Sequence, residues 1–254
     1  MTESLTDTVA LVTGASSGIG AATAQTLAAG GATVALLARR TERLRALAEE
    51  IEAAGGAALV LEADITDPEQ AKAAIERVVA DLGRLDTVVN NAGVSFVGPI
   101  EDAPPQEWDQ MIAVNVEGVL NVTRAALPHL VNAAQTAPRR VADLITISST
   151  AGRVARPGQA VYALTKSAVN AFSEAMRQEL QPKRVRVGVV APGTVATELA
   201  THMRDGVREA VEQQLAGIEL LRPQDIADAV AYMVTRKRHV AVNEILVRAA
   251  EQTW

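Results

Sequence analysis

The chain reads as an α/β protein, a single domain built on a doubly wound sheet of about seven parallel strands with helices on both faces. Three observations predict this. Short apolar runs alternate with longer helical patterns from one end to the other, the runs are nearly continuous in apolar residues, and start and stop signals for helices fill the gaps. Parallel strands covered on both faces have no polar side to show, which is why the runs lack the alternation of half-exposed strands. Right-handed crossovers then distribute the helices over the two faces.

The expected strands, in order, are Thr8–Thr13, Ala32–Leu37, Ala57–Leu61, Thr87–Val89, Leu144–Ile147, Val185–Val190 and Glu244–Val247. Between the second and third, Thr41 to Ala54 carries Leu44, Leu47, Ala48 and Ile51 on one helical face, and Gly55-Gly56 closes it. The next helix opens with Asp67-Pro68-Glu69, a capping carboxylate followed by proline at the first helical position. No repeat, low-complexity block or linker interrupts the chain. The least regular stretch, about 193–221, with small and charged residues, is expected to act as a lid over a ligand.

Composition removes several chemistries. The 254 residues include no Cys, so disulfides, thiol nucleophiles and thiolate metal sites are excluded and a reducing, cytoplasmic setting fits. The three His, at 129, 202 and 239, show no paired ligand spacing, and no metal is expected. The N-terminus has neither a basic region nor a long apolar run, so no export signal or membrane span is expected. A formal charge of −6 argues against nucleic acid or an anionic membrane as the partner. Any anion must be bound locally.

The first strand runs directly into Gly14-Ala15-Ser16-Ser17-Gly18-Ile19-Gly20, which opens the first helix. Gly14 permits a tight turn, and Gly18 and Gly20 remove side chains where backbone would approach a pyrophosphate at a helix N-terminus. Read alone, the same turn is also a plain strand-helix connection. At the end of the second strand, an acid would bond a ribose 2′-hydroxyl and repel a 2′-phosphate. Ala38 stands there instead, followed by Arg39 and Arg40, planar donors suited to phosphate. NADP(H) is therefore preferred to NAD(H). As bare residues the two arginines are solvated cations at a helix start.

Tyr162 and Lys166 are four residues apart, one turn of a helix, in YALTK. An ammonium beside a phenol favours the phenolate; bringing a tyrosine of pKa ~10 near neutrality requires ~4 kcal/mol of such preference. So tuned, Tyr162 gives a proton to a carbonyl oxygen or takes one from an alcohol. A tyrosine and lysine at this spacing are also ordinary surface residues of a helix. The only other tyrosine, Tyr232, has no lysine one turn on.

The TGxxxGIG turn, Asn90-Asn91-Ala92-Gly93, Asn115, Ser149, YxxxK and Pro192-Gly193-Thr194-Val195-Ala196-Thr197 each occur once and in this order. In that set, spanning roughly residues 8–200, the chain resembles the short-chain dehydrogenase/reductase family. The resemblance implies a Rossmann-type fold and an oxidoreductase that passes hydride between a nicotinamide and a carbonyl or alcohol carbon. It implies that Tyr162 is the acid/base, that Ser149 holds and polarises the substrate oxygen, and that Lys166 tunes Tyr162 and binds the nicotinamide ribose. Asn115 would anchor a water in a proton relay. Asp64 and Ile65 would meet the adenine, Asn91, Ala92 and Gly93 the adenosine ribose, and Pro192, Gly193, Thr194, Val195 and Thr197 the nicotinamide end. By position, Phe96, Val154 and Leu199 line the substrate pocket, with Arg204 or Arg208 in reach of a carboxylate.

The C-terminal stretch Asn243 to Arg248 resembles the branch of NADP-dependent 3-hydroxy-acid (serine-type) dehydrogenases and clavulanic-acid-dehydrogenase-like reductases, and departs from the Gly-Gly ending of many members. The family implies a homotetramer or homodimer acting on a small molecule. A rival reading is a non-catalytic dinucleotide sensor on the same fold, which would tolerate loss of the tyrosine, lysine, serine and asparagine that are all retained here.

Overall fold

The computed structural model describes residues 3–199 and 206–252. Among the described residues seven strands form one parallel sheet: β1 (Val9–Thr13), β2 (Thr33–Ala38), β3 (Ala57–Glu62), β4 (Thr87–Asn90), β5 (Ala142–Ile147), β6 (Val185–Pro192) and β7 (Glu244–Val247). Their order across the sheet is β3-β2-β1-β4-β5-β6-β7. The chain thus winds outward from β1 to one edge, returns beside β1 at β4, and winds to the other edge. That reversal opens a crevice at the C-terminal ends of β1 and β4, where open sheets of this kind bind ligands.

Helices α1 (Gly18–Ala29), α2 (Thr41–Ala53) and α8 (Pro223–Val234) cover one face, while α3 (Pro68–Leu82) and α5 (Gly118–Thr136) pack on the other. Strand residues divide between the two cores by alternation: Ala10 and Val12 face Leu27, Leu44 and Val230, whereas Leu11 and Val9 face Ile75, Val78 and Leu130. The predicted stripe Leu44, Leu47, Ala48 and Ile51 is the buried face of α2. Asp67 caps α3 as expected, its side chain accepting from the amides of Glu69 and Gln70, and Gly83 ends that helix at φ +77°.

Helix α4 (Pro105–Ile112) leads into a π-helical turn at Ala113–Glu117 before α5. Asn115 lies in that turn rather than in a regular helix. Helix α6 (Ala160–Leu180) carries Tyr162 and Lys166, and α7 (Val207–Gln214) belongs to the stretch read as a lid. Residues 200–205, including Arg204, lie outside the described residues. Among the described residues no helix is long and apolar enough to cross a membrane.

At the N-terminal end of the sheet, away from the crevice, a buried charge network ties strands together. Asp86 accepts from the Val9 amide at 2.9 Å and is bound twice by Arg84, and Asp143 takes two bonds from Arg186 at 2.7 and 2.9 Å. Burial pushes the Asp143 carboxyl up, against the pull of Arg186 and Arg139.

Candidate active site

A cavity of about 500 Å³ fills the crevice. One end is the turn after β1. Gly14 (φ +65°) and Gly18 (φ +55°) adopt left-handed backbone, and a Cβ at Gly20 would stand 2.4 Å from the Gly14 carbonyl oxygen. Glycine is required at all three. Ser17 occupies the N-cap of α1 but makes no capping bond, so the side chain leaves the first-turn amides without the usual oxygen. Amides and helix dipole together form a site for an anion.

The NNAG segment braces this turn from behind. Thr13 Oγ1 accepts from the amides of Asn91 and Ala92, each at 3.0 Å, and Asn91 Nδ2 donates to the Thr13 carbonyl at 2.8 Å. β1 and β4 are thereby joined at the point where the winding reverses.

Farther along the wall stand the two arginines. Arg39 faces Asp64 at 3.7 Å. Arg40 donates to Ser16 Oγ through Nε (3.1 Å) and Nη2 (2.9 Å), to Ser17 Oγ (2.7 Å), and to Glu198 (2.9 Å). The hydroxyls of the glycine turn are thus tied to the end of β2. Asp64 Oδ1 accepts from the Thr66 amide and hydroxyl, which fixes the carboxylate at the cavity rim beside Ile65.

The other end holds the acid-base residues. Ser149 lies just beyond β5 in extended backbone, and it accepts from the Ala151 amide at 3.1 Å, capping a short 3₁₀ turn. The turn sits tightly on α6: a Cβ on Gly152 would lie 2.9 Å from the Lys166 carbonyl, and the Gly152 carbonyl accepts from Ser167 and Asn170. This packing sets Ser149 on the same cavity wall as Tyr162, where it pulls the phenol pKa down. Ser148, its neighbour, donates instead to the Lys166 carbonyl at 3.4 Å.

Lys166 is buried, with Nζ 2.9 Å from the Ile147 carbonyl and 5.7 Å from the centre of the Tyr162 ring. Burial lowers its ammonium to about 8. The Tyr162 phenol moves opposite to the sequence expectation: burial raises it, with Ser149 pulling weakly the other way. Both groups are withdrawn from water, so each favours its neutral form, and the lysine is engaged by a carbonyl rather than by the phenol. Asn115 spends its amide on protein: Oδ1 accepts from the Val94 amide (2.8 Å), while Nδ2 donates to the Val94 carbonyl (2.8 Å) and Thr165 Oγ1 (3.2 Å). Thr165 in turn donates to the Tyr162 carbonyl at 2.8 Å.

Val154 and Leu199 line the cavity as expected; Phe96 does not. Its neighbours Val94, Ser95 and Val97 do. The chain there is irregular, so neither strand nor helix period tells which side chain turns inward. Arg208 lies on α7, which reaches the cavity through Val211.

Two wall residues carried no sequence signal. Glu198 pairs with Arg40 and Arg43 across more than 150 residues, and both cations hold its carboxyl down at about 2. Gln252, in the tail after β7, is buried against the segment after β6: Oε1 accepts from the Thr194 amide (3.1 Å) and Nε2 donates to Thr194 Oγ1 (3.3 Å). A Cβ on Gly193 would meet Gln252 Oε1 at 2.2 Å, so the glycine is what admits the tail. Neither contact has a local pattern that a sequence displays.

The class follows from sheet, glycine turn and tyrosine-lysine pair together: a dinucleotide-binding oxidoreductase fold. Residues 8–208 match the short chain dehydrogenase family, and the chain belongs to it. It is 34% identical over 250 residues to an uncharacterized oxidoreductase of Staphylococcus saprophyticus, covering 97% of this chain and 98% of that one. Among solved structures it is similar to the closed form of a serine dehydrogenase complexed with NADP+ (31% identity, TM-score 0.85, 97% and 96% covered). It is also similar to a 3-ketoacyl-(acyl-carrier-protein) reductase of Brucella melitensis complexed with NADH (33% identity, TM-score 0.84, 97% and 99% covered). The chain is an oxidoreductase of this family.

Proposed function

We propose that the protein reduces a ketone or aldehyde to an alcohol with NADPH, and runs the reverse oxidation with NADP+, using Tyr162 as acid and base. The observation that carries this reading is that Ser149, Tyr162 and Lys166 line one cavity with the glycine turn and with Arg39 and Arg40. The donor set fits a dinucleotide. First-turn amides of α1, with Gly14, Ser16, Ser17, Gly18, Ile19 and Gly20, suit a pyrophosphate; Asp64, Ile65, Asn91, Ala92 and Gly93 flank an adenosine. Arg39 and Arg40 are guanidiniums for a 2′-phosphate, and Pro192, Gly193, Thr194, Val195 and Thr197 border the nicotinamide end beside Lys166. The bound nicotinamide supplies or accepts the hydride.

With its pKa raised, Tyr162 is a protonated phenol at neutral pH, a donor ready for a carbonyl oxygen. Ser149 holds that oxygen and stabilises the charge it develops. Lys166 is charged at pH 7 and supplies positive potential to the growing phenolate as Tyr162 gives up its proton. Asn115 positions: it fastens the segment after β4 to α6 through Val94 and Thr165. The π-helical turn, a feature frequent at functional sites, puts it there. Leu199 and Val211 border the substrate end, and Leu164, exposed on α6, belongs to a surface for a second copy in a dimer or tetramer.

Tyr162→Phe tests the reading. Turnover of a carbonyl panel with NADPH should vanish while NADPH binding, followed by nicotinamide fluorescence, stays within about twofold; retained turnover rejects the assignment. A sensor on this fold would show cofactor binding with no turnover in the parent protein.

A further inference from the structure

Glu198 lies in the segment between β6 and α7, yet its carboxylate sits on the adenosine side of the cavity, held by the start of α2. Arg43 Nη1 donates to Oε1 at 2.6 Å and to Oε2 at 2.8 Å, and Arg40 Nη1 donates to Oε2 at 2.9 Å. Arg40 Nε and Nη2 donate to Ser16 and Ser17. Thr197 fixes the approach, its methyl 3.2 Å from where a Cβ of Gly18 would stand. A carboxylate and a phosphate monoester offer a guanidinium the same paired acceptor oxygens. At Arg40, Glu198 therefore uses a donor that an adenosine 2′-phosphate would use.

We infer that Glu198 is a cofactor-selectivity residue: its carboxylate, anchored by Arg43, competes with the dinucleotide's 2′-phosphate for the Arg40 guanidinium. The inference rests on the proposal that this cavity binds a nicotinamide dinucleotide. Binding of the phosphorylated form hands the Arg40 guanidinium from carboxylate to phosphate, whereas a dinucleotide with a free 2′-hydroxyl leaves the Glu198 pairs intact. Glu198 thus lowers affinity for NADP(H) selectively and narrows the gap between the two cofactors. The carboxyl is ionised throughout the physiological range, so the competition does not relax with pH there.

The test is equilibrium binding of NADPH, NADH and adenosine 2′-phosphate to the parent protein and to Glu198→Gln, with thermal melts as a folding control. The exchange of an exposed ion pair predicts about three- to tenfold tighter NADPH and adenosine 2′-phosphate for the variant, with NADH within about twofold. If NADPH and NADH weaken together, Glu198 is a strut for its loop and the inference is wrong. It is equally wrong if no ligand's affinity changes. If the parent protein binds neither dinucleotide, the functional proposal fails as well, and that result is read from the parent alone.

Discussion

At the scale of single residues, Lys166 concentrates the chemistry. It is a buried amine whose ammonium is lowered to about 8, below the ~10.4 of an unfolded lysine. Between these values the unfolded chain binds more protons, so stability contributed by this group rises with pH through that window and is lowest below 8. Lys166→Met removes the cost of burying a charge. It should gain up to about 3 kcal/mol of stability at pH 7, seen as a higher Tm, while losing most activity. In the parent protein, kcat/KM for carbonyl reduction should fall above an inflection near 8, as the ammonium that supports the phenolate is lost. A profile flat from pH 6 to 9 would remove Lys166 from the proton step. Ser149→Ala should lower kcat by about 10²- to 10³-fold, the usual loss for one oxyanion donor, with cofactor affinity little changed.

At the scale of elements, the turn between β1 and α1 shows what a sequence displays and what it hides. Glycine identity and spacing are local, and Gly14, Gly18 and Gly20 were readable because left-handed φ or contact distance admits nothing else. Gly20→Ala should force the turn apart at the Gly14 carbonyl and weaken dinucleotide binding at least about tenfold, measured by titration. Binding unchanged in that variant would mean the turn does not cradle the ligand. Hidden were the partners reached through the fold: Gln252 on Thr194, and Glu198 on Arg43. Hidden too is the π-helical turn that carries Asn115, because such a turn has no distinct composition. YxxxK likewise displays the lysine's proximity but not the desolvation that outweighs it at Tyr162.

At the scale of the molecule, strand number, parallel sense and α/β class were legible because burial on both faces is written into each strand. Strand ends shifted by one or two residues, as at β5, which begins at Ala142 because Asp143 is polar yet buried in the charge network. That network holds the sheet at the end opposite the site. Arg186→Met strands Asp143 and should cost about 3–5 kcal/mol, read from chemical denaturation. Because the folded Asp143 carboxyl is raised above its unfolded value, the fold loses stability as pH rises from the unfolded pKa toward the folded one. In the variant that loss should extend to higher pH. Equal stability at pH 5 and 7 would contradict it.

The cavity unites the two ends of the site only if one ligand spans from Arg39 and Arg40 to Tyr162. The most direct measurement is single-turnover oxidation of NADPH, followed by nicotinamide absorbance, by the parent protein and by Tyr162→Phe with a carbonyl substrate taken from the panel. Rapid loss of nicotinamide absorbance is expected in the parent protein and none in the variant, with both binding NADPH alike. Equal hydride transfer in the two proteins would contradict it.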